Sequence, residues 1–160
     1  MPFLLLDAMR DYLTEALAGL LLFDPASRDR PERRRPPRVL IGELPPRNKD
    51  EEEGGYPFVL LRGLSGEDLQ DAATCEVTIV CAVAAAERGE ALEQEIQNLV
   101  AWVRRALLQT RTISGKGMLV PDHQGRLLTW EIFPEFAHPY VAAQIKGRWQ
   151  MPGIMEVTND

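Results

Sequence analysis

The chain is short of the residue types that reaction chemistry draws on most. Among its 160 residues are two histidines, His123 and His138, and two cysteines, Cys75 and Cys81. The cysteines sit six positions apart on one side of a segment that alternates like a strand, too far apart to bridge, since a disulfide needs Cα atoms within about 7 Å. They are expected to be buried, reduced thiols of a cytosolic protein. A cysteine nucleophile would need an exposed, electropositive setting beside a histidine, whereas these two point with Val77 and Ile79 toward a presumed core. The histidines fall in predicted turns beside Pro121 and Pro139, with Asp122, Glu131 and Glu135 nearby in sequence. They read as surface turn residues; a two-histidine, one-carboxylate metal site is the alternative, and it lacks the usual spacing on a regular element. Gly115 and Gly117 neither follow a strand nor open a helix as a phosphate-cradling loop requires. Trp102, Trp130 and Trp149 lie among aliphatics, which suits packing better than base stacking. No catalytic residue, metal or cofactor is therefore expected, and a structural or binding role is favoured over an enzyme.

Positive charge is also in deficit. Lys plus Arg total 18 against 24 Asp plus Glu, a net charge of -6, which argues against general nucleic-acid binding because phosphate contacts depend on cations. A long uninterrupted apolar run is missing too. The leucine clusters of MPFLLLDAMRDYLTEALAGLLLF are broken by Asp7, Arg10, Asp11 and Glu15, and no basic region precedes them, so neither a signal peptide nor a membrane span is expected there. The length fits one domain, 1–160, able to bury roughly two thirds of the surface of the unfolded chain.

What is present is a block in two periods, from Thr74 to Gln109. Cys75, Val77, Ile79, Cys81 and Val83 alternate with Thr74, Glu76 and Thr78, the mark of a half-buried strand. After Glu87 to Glu90, Leu92, Ile96, Leu99, Val103 and Leu107 recur at helical spacing, leaving Glu93, Gln94, Gln97, Arg104 and Arg105 to solvent. Glutamates open this helix and arginines close it, as the macrodipole favours. Strand and helix are each roughly 30 Å long and can lie face to face.

Around that block, Leu6, Met9, Leu13, Leu17 and Leu20 predict an amphipathic helix over 3–22, docking on the chain's own core or on a neighbouring subunit. Residues 24–55 carry runs of arginine, proline and acid and read as a charged, mobile loop, with a short edge strand at Val39 to Glu43. Arg33, Arg34 and Arg35 are either a contact for phosphate or an acidic partner, or a solvated run nearly cancelled by Asp50 to Glu53. Tyr56 to Leu64 is a strand opened by Pro57, joined to the next through Ser65 to Ala73 as a hairpin with a long tip. Turns follow at Ser114 to Gly117 and at Pro121 to Gly125, then a weakly alternating strand at Leu127 to Phe133. In Tyr140 to Met151, Val141, Ala143, Ile145, Trp149 and Met151 share a side with Gly147, while Gln144, Lys146, Arg148 and Gln150 take the other. The fold class expected is α+β: an antiparallel or mixed sheet of four to five strands with two helices packed on one face. The opposite face, with Glu76, Thr78, Gln144, Lys146, Arg148 and Gln150, is polar enough for water and flat enough for another protein.

The segment YPFVLLRGLSGEDLQDAATCEVTIVCAV, the helix NLVAWVRRALL, Trp130-Glu131 followed by Pro134, and the closing PYVAAQIKGRWQMP together resemble the tail-terminator, or tail-completion, proteins of long-tailed bacteriophages and prophages, over Tyr56 to Pro152. The resemblance implies a non-enzymatic virion protein with the same sheet-and-helices fold, made in the host bacterial cytoplasm and residing in the virion tail. Its copies would form a hexameric ring that caps the tail tube, ends polymerisation and presents a surface to the head connector. DNA would pass through the ring without being bound, which suits an acidic chain. The interface residues expected are Gln144, Lys146, Arg148 and Gln150, with Arg33, Arg34 and Arg35. A neighbouring head-closure or connector protein is the alternative, and a small hydrolase or metal enzyme using His123 or His138 a more distant one. The length and arginine content of 24–55 depart from the family pattern.

Overall fold

The periodicity of the two helices decides what they bury. In a computed structural model, which describes residues 2–25, 33–43, 55–85, 89–133 and 140–152, α1 spans Pro2–Ala16 and buries Leu5, Leu6, Met9 and Leu13. The helix is shorter than the stripe predicts. The chain turns at 17–19, where Gly19 lies 3.8 Å from Trp102 if given a Cβ, yet Leu17 and Leu20 still reach the core from outside the helix. The second helix, α2, spans Glu90–Gln109 and buries Ile96, Leu99, Val100, Val103, Ala106 and Leu107. Glu90 and Glu93 occupy its first turn, but no basic residue reaches its last, so the macrodipole is complemented at the N-terminus alone.

The strands are β1 (Leu22–Phe23), β2 (Arg34–Arg35), β3 (Arg38–Ile41), β4 (Phe58–Asp68), β5 (Ala72–Ala84), β6 (Thr112–Ile113), β7 (Gly117–Val120), β8 (Leu128–Phe133) and β9 (Tyr140–Pro152). One sheet has seven strands, in the order β3-β4-β5-β9-β7-β6, with β8 also paired to β9. It is mixed, because β3 runs parallel to β4 and every other pair is antiparallel. A separate antiparallel pair joins β1 to β2. The α+β class therefore holds, but the sheet exceeds the expected four to five strands. The additional strands are two to four residues long, too short for alternation to show.

Both helices pack on one face of the large sheet. Cys75, Val77, Ile79, Cys81 and Val83 of β5 and Val141, Ala143, Ile145, Trp149 and Met151 of β9 belong to the same core as the buried stripes of α1 and α2. Trp149 is fully buried and its ring folds back over Gly147, where a Cβ would meet it at 2.7 Å. The long hairpin tip expected at Ser65 to Ala73 is instead continued pairing. A bulge between Gly63 and Ser65 absorbs the extra residue Leu64, and the ladder then runs to Asp68 opposite Ala73. A backbone bond from Leu69 N to Ala72 O, 2.7 Å, closes the short tip. Between β6 and β7, Ser114 and Gly115 both have positive φ, 46° and 68°, giving the tight turn that the sequence marks.

Residues 24–55, read as a mobile loop, carry two strands among those described. Arg38–Ile41 adds an edge strand where the short apolar piece predicts one, and Arg34–Arg35 pairs with the end of the α1 connection. The acidic run at Asp50 to Glu53, the break at Glu87-Arg88, Pro134, Glu135, His138 and the tail lie outside the described residues.

Candidate interaction surfaces

The face of the sheet away from the helices is set by the registers of β5 and β9. Val80 stands opposite Gln144, Thr78 opposite Lys146, Glu76 opposite Arg148 and Thr74 opposite Gln150. The polar row expected from the sequence is thus one cross-strand ladder. Lys146 and Gln150 are exposed, while Gln144 and Arg148 are half-buried. Thr78, 8% exposed, lies in register between Arg62 of β4 and Lys146 of β9. Opposite charges face each other at Glu76 and Arg148, the stabilising arrangement for a cross-strand pair.

The other half of this face is apolar. Tyr56, Phe58, Leu60, Ala82, Ala84 and Ala142 form a second buried cluster, with Phe23, Leu40, Val80, Phe133 and Tyr140 packed on it. Tyr56 stacks on Tyr140 at 4.5 Å between centroids and is tilted against Phe58 at 5.2 Å. The sequence hinted at this in the switch from Glu76 and Thr78 to Val80, Ala82 and Ala84 on the supposedly polar side of β5.

The loop arginines differ in their surroundings. Arg33 is exposed, and its carbonyl accepts from Asp24 N at 3.2 Å. Arg34 Nη1 donates to Glu95 Oε1 of α2 at 2.7 Å, and Glu95 Oε2 also accepts from Phe23 N at 3.3 Å. Arg35 donates to the carbonyl of Tyr56, with Nε 3.5 Å from the buried Asp24 carboxylate. Burial pulls the Arg35 guanidinium below its usual value, with Asp24 opposing the shift. Arg34 and Arg35 thus clasp the β1–β2 pair to α2 and to the chain leading into β4, and Arg33 is left facing solvent.

Two further surfaces carry exposed apolar side chains beside charge. The tip between β4 and β5 displays Leu69, 59% exposed, among exposed Glu67, Asp68 and Asp71; Leu64 at the bulge is 63% exposed. On the outer face of α2, Ala101, Arg104, Arg105, Leu108 and Gln109 line a shallow, open groove. Arg104 lies over the ring of Trp130 on β8, 5.0 Å from its centroid, and Trp130 is itself 44% exposed.

His123 is exposed, in the turn that Asp122 organises. Asp122 Oδ1 accepts from Gln124 N at 2.8 Å and Arg126 N at 3.0 Å, and Oδ2 from Arg126 Nε at 2.8 Å. Hydrogen bonds from the Arg126 backbone, then its side chain, draw the Asp122 carboxyl down to about 2. That carboxylate is occupied in closing the turn. Among the described residues no group of three His, Cys, Asp or Glu is placed to hold a metal ion, and no helix is long and apolar enough to cross a membrane. Burial pushes the Cys81 thiol up to about 12, and burial followed by Glu76 raises that of Cys75. Neither has thiolate character for nucleophilic work. No family model matches the chain, and no curated protein matches its sequence.

Proposed function

We propose that the protein is a ring-forming structural component of a long-tailed phage or prophage, a tail terminator that caps the tail tube and joins it to the head, without catalysis or cofactor. One observation carries the reading. The segments of the family resemblance, separate in sequence, fall on a single packed unit: β4, β5, β9 and β8 adjoin in that order, with α2 lying on the face made by β5 and β9. A likeness spread over turn and packing signals carries more weight when those signals make one body than when they scatter. The exposed Lys146 and Gln150, with half-buried Gln144 and Arg148, supply a polar face that a partner with complementary acceptors can cover.

The test is electron microscopy of the purified protein mixed with tail tubes. Six-membered rings seated on tube ends support the reading. Binding to portal-side protein with no affinity for tubes would move the assignment to a head-closure or connector component. Of the β9 residues, Lys146 is the better probe. Arg148→Glu would set two carboxylates opposite each other at Glu76 and weaken the sheet itself, so Lys146→Glu tests this face without that clash.

A further inference from the structure

We propose that the β4–β5 hairpin tip of one copy docks in the α2 groove of the next, making a head-to-tail contact between unlike surfaces. The proposal rests on the ring-forming reading and names the contact that would build the ring. Charge complementarity is its first ground. Glu67, Asp68 and Asp71 at the tip have no ion-pair partner among the described residues, and neither have Arg104 and Arg105 at the groove. In a chain of net charge -6, association of copies is opposed overall, so a specific contact must set local opposites together.

Apolar matching is the second ground. Leu69 projects from the middle of the acids at 59% exposure, and the groove offers Ala101 and Leu108 on either side of its arginines, beside the partly exposed Trp130. Apolar side chains in contact, with opposite charges around them, are the usual anatomy of a small specific contact. The Lys146 and Arg148 ladder is a poorer receptor for the tip. It has Glu76 in register with Arg148 and no exposed aliphatic or aromatic side chain between its cations.

Geometry is the third. The tip belongs to β4 and β5, while the groove looks out beside β8, and β9 stands between β5 and β8. Tip and groove therefore occupy different flanks of one molecule, so each can meet a different neighbour. Such a heterologous contact repeats from copy to copy and closes into a ring when the rotation per step divides a full turn.

The experiment is disulfide trapping in the full-length chain. Leu69→Cys and Leu108→Cys are placed together, and Cys75 and Cys81, 2% and 0% exposed, stay out of reach of a mild oxidant. A ladder of dimers, trimers and higher species on a denaturing gel is expected. A mixture of the two single variants should give mixed dimers only. Reversing Glu67 and Asp68 to arginine should cut trapping about tenfold, as should Arg104→Glu with Arg105→Glu, and combining both reversals in one chain should restore it. Circular dichroism verifies the fold of each variant. Mixed dimers no more abundant than those of either single variant alone, or a ladder indifferent to charge reversal, would overturn the proposal. Rings on tube ends formed equally well by the charge-reversed chains would sink this contact and leave the ring reading intact. A ladder without any tube capping would keep the contact and sink the terminator reading.

Discussion

Gly147→Ala opposes two well-understood effects, and the structure says which should win. Gly147 lies inside β9 and is not among the positive-φ glycines, so its backbone suits any residue. On backbone grounds alone, alanine would stabilise the protein by about 0.5–1 kcal/mol, because glycine loses more freedom on folding. The new methyl, however, would lie 2.7 Å from Trp149 Cζ3 and 2.8 Å from both Trp149 Cη2 and Leu128 Cδ2. The shortest contact is about 0.8 Å inside the ~3.5 Å optimum for carbon pairs. Trp149 is 0% exposed and has no open side to retreat into. Overpacking of this kind costs about 1–3 kcal/mol, so the net expectation is a loss of about 1–2 kcal/mol and a fall in Tm of about 2–8 °C. Urea titration followed by tryptophan fluorescence, with a thermal scan by circular dichroism, measures both. Trp149→Phe should relieve the clash in the Gly147→Ala background. It also removes an indole N–H that meets no acceptor among the described residues, so its own cost is softened. The two changes should couple by about 1 kcal/mol in a double-mutant cycle. An unchanged or raised Tm for Gly147→Ala would refute the account of ring and glycine packed as one unit.

The thiols should be silent in the native protein. With Cys81 near 12 and Cys75 also raised, a thiol reagent at pH 8 should label neither until denaturant is added, and stoichiometric labelling of the folded chain would contradict their placement. Stability tied to these buried thiols is complete below the unfolded thiol range and is lost as pH climbs toward the raised folded value. Asp122 has the opposite sign. Its carboxyl is lowered to about 2, so the stability it lends is present above the ordinary carboxylate range and fades as pH drops through about 2. A carbon-detected NMR titration should place its midpoint near 2, moving up toward the ordinary value in Arg126→Ala; a midpoint near 4 in the parent would show the turn to be open in solution.

Long elements with an unbroken period were legible. In β9 the rows from Val141 to Met151 and from Gln144 to Gln150 fall on the faces that alternation assigns, and α2 buries the stripe from Ile96 to Leu107. Short elements were not. Thr112–Ile113 and Gly117–Val120 are held by partners rather than by pattern, and Arg34–Arg35 reads as a charge run because its side chains are held by Glu95 and Tyr56, each more than twenty positions away. The hairpin was read as too loose because Ser65, Gly66 and the acids look like loop chemistry, whereas a bulge carries the ladder through them. Of the surfaces, the polar ladder of β9 could be read directly. The groove could not, since Trp130 sits in a row with Leu128 and Ile132 that looks wholly buried, and only tertiary placement leaves it partly in water beside Arg104.

The bulge at Leu64 has one more effect. Beyond Leu61, β4 has no strand on its outer side among the described residues, so its backbone there is an open edge seven residues long, Arg62 to Asp68. A flat edge of that length would template stacking of further chains into fibrils. The kink between Gly63 and Ser65, with Arg62, Glu67 and Asp68 along the rim, interrupts the straight register such stacking needs. The irregularity that carries the hairpin outward is thus of the kind that opposes amyloid-like growth, and filling it by deleting Leu64 should trade solubility for a straighter sheet.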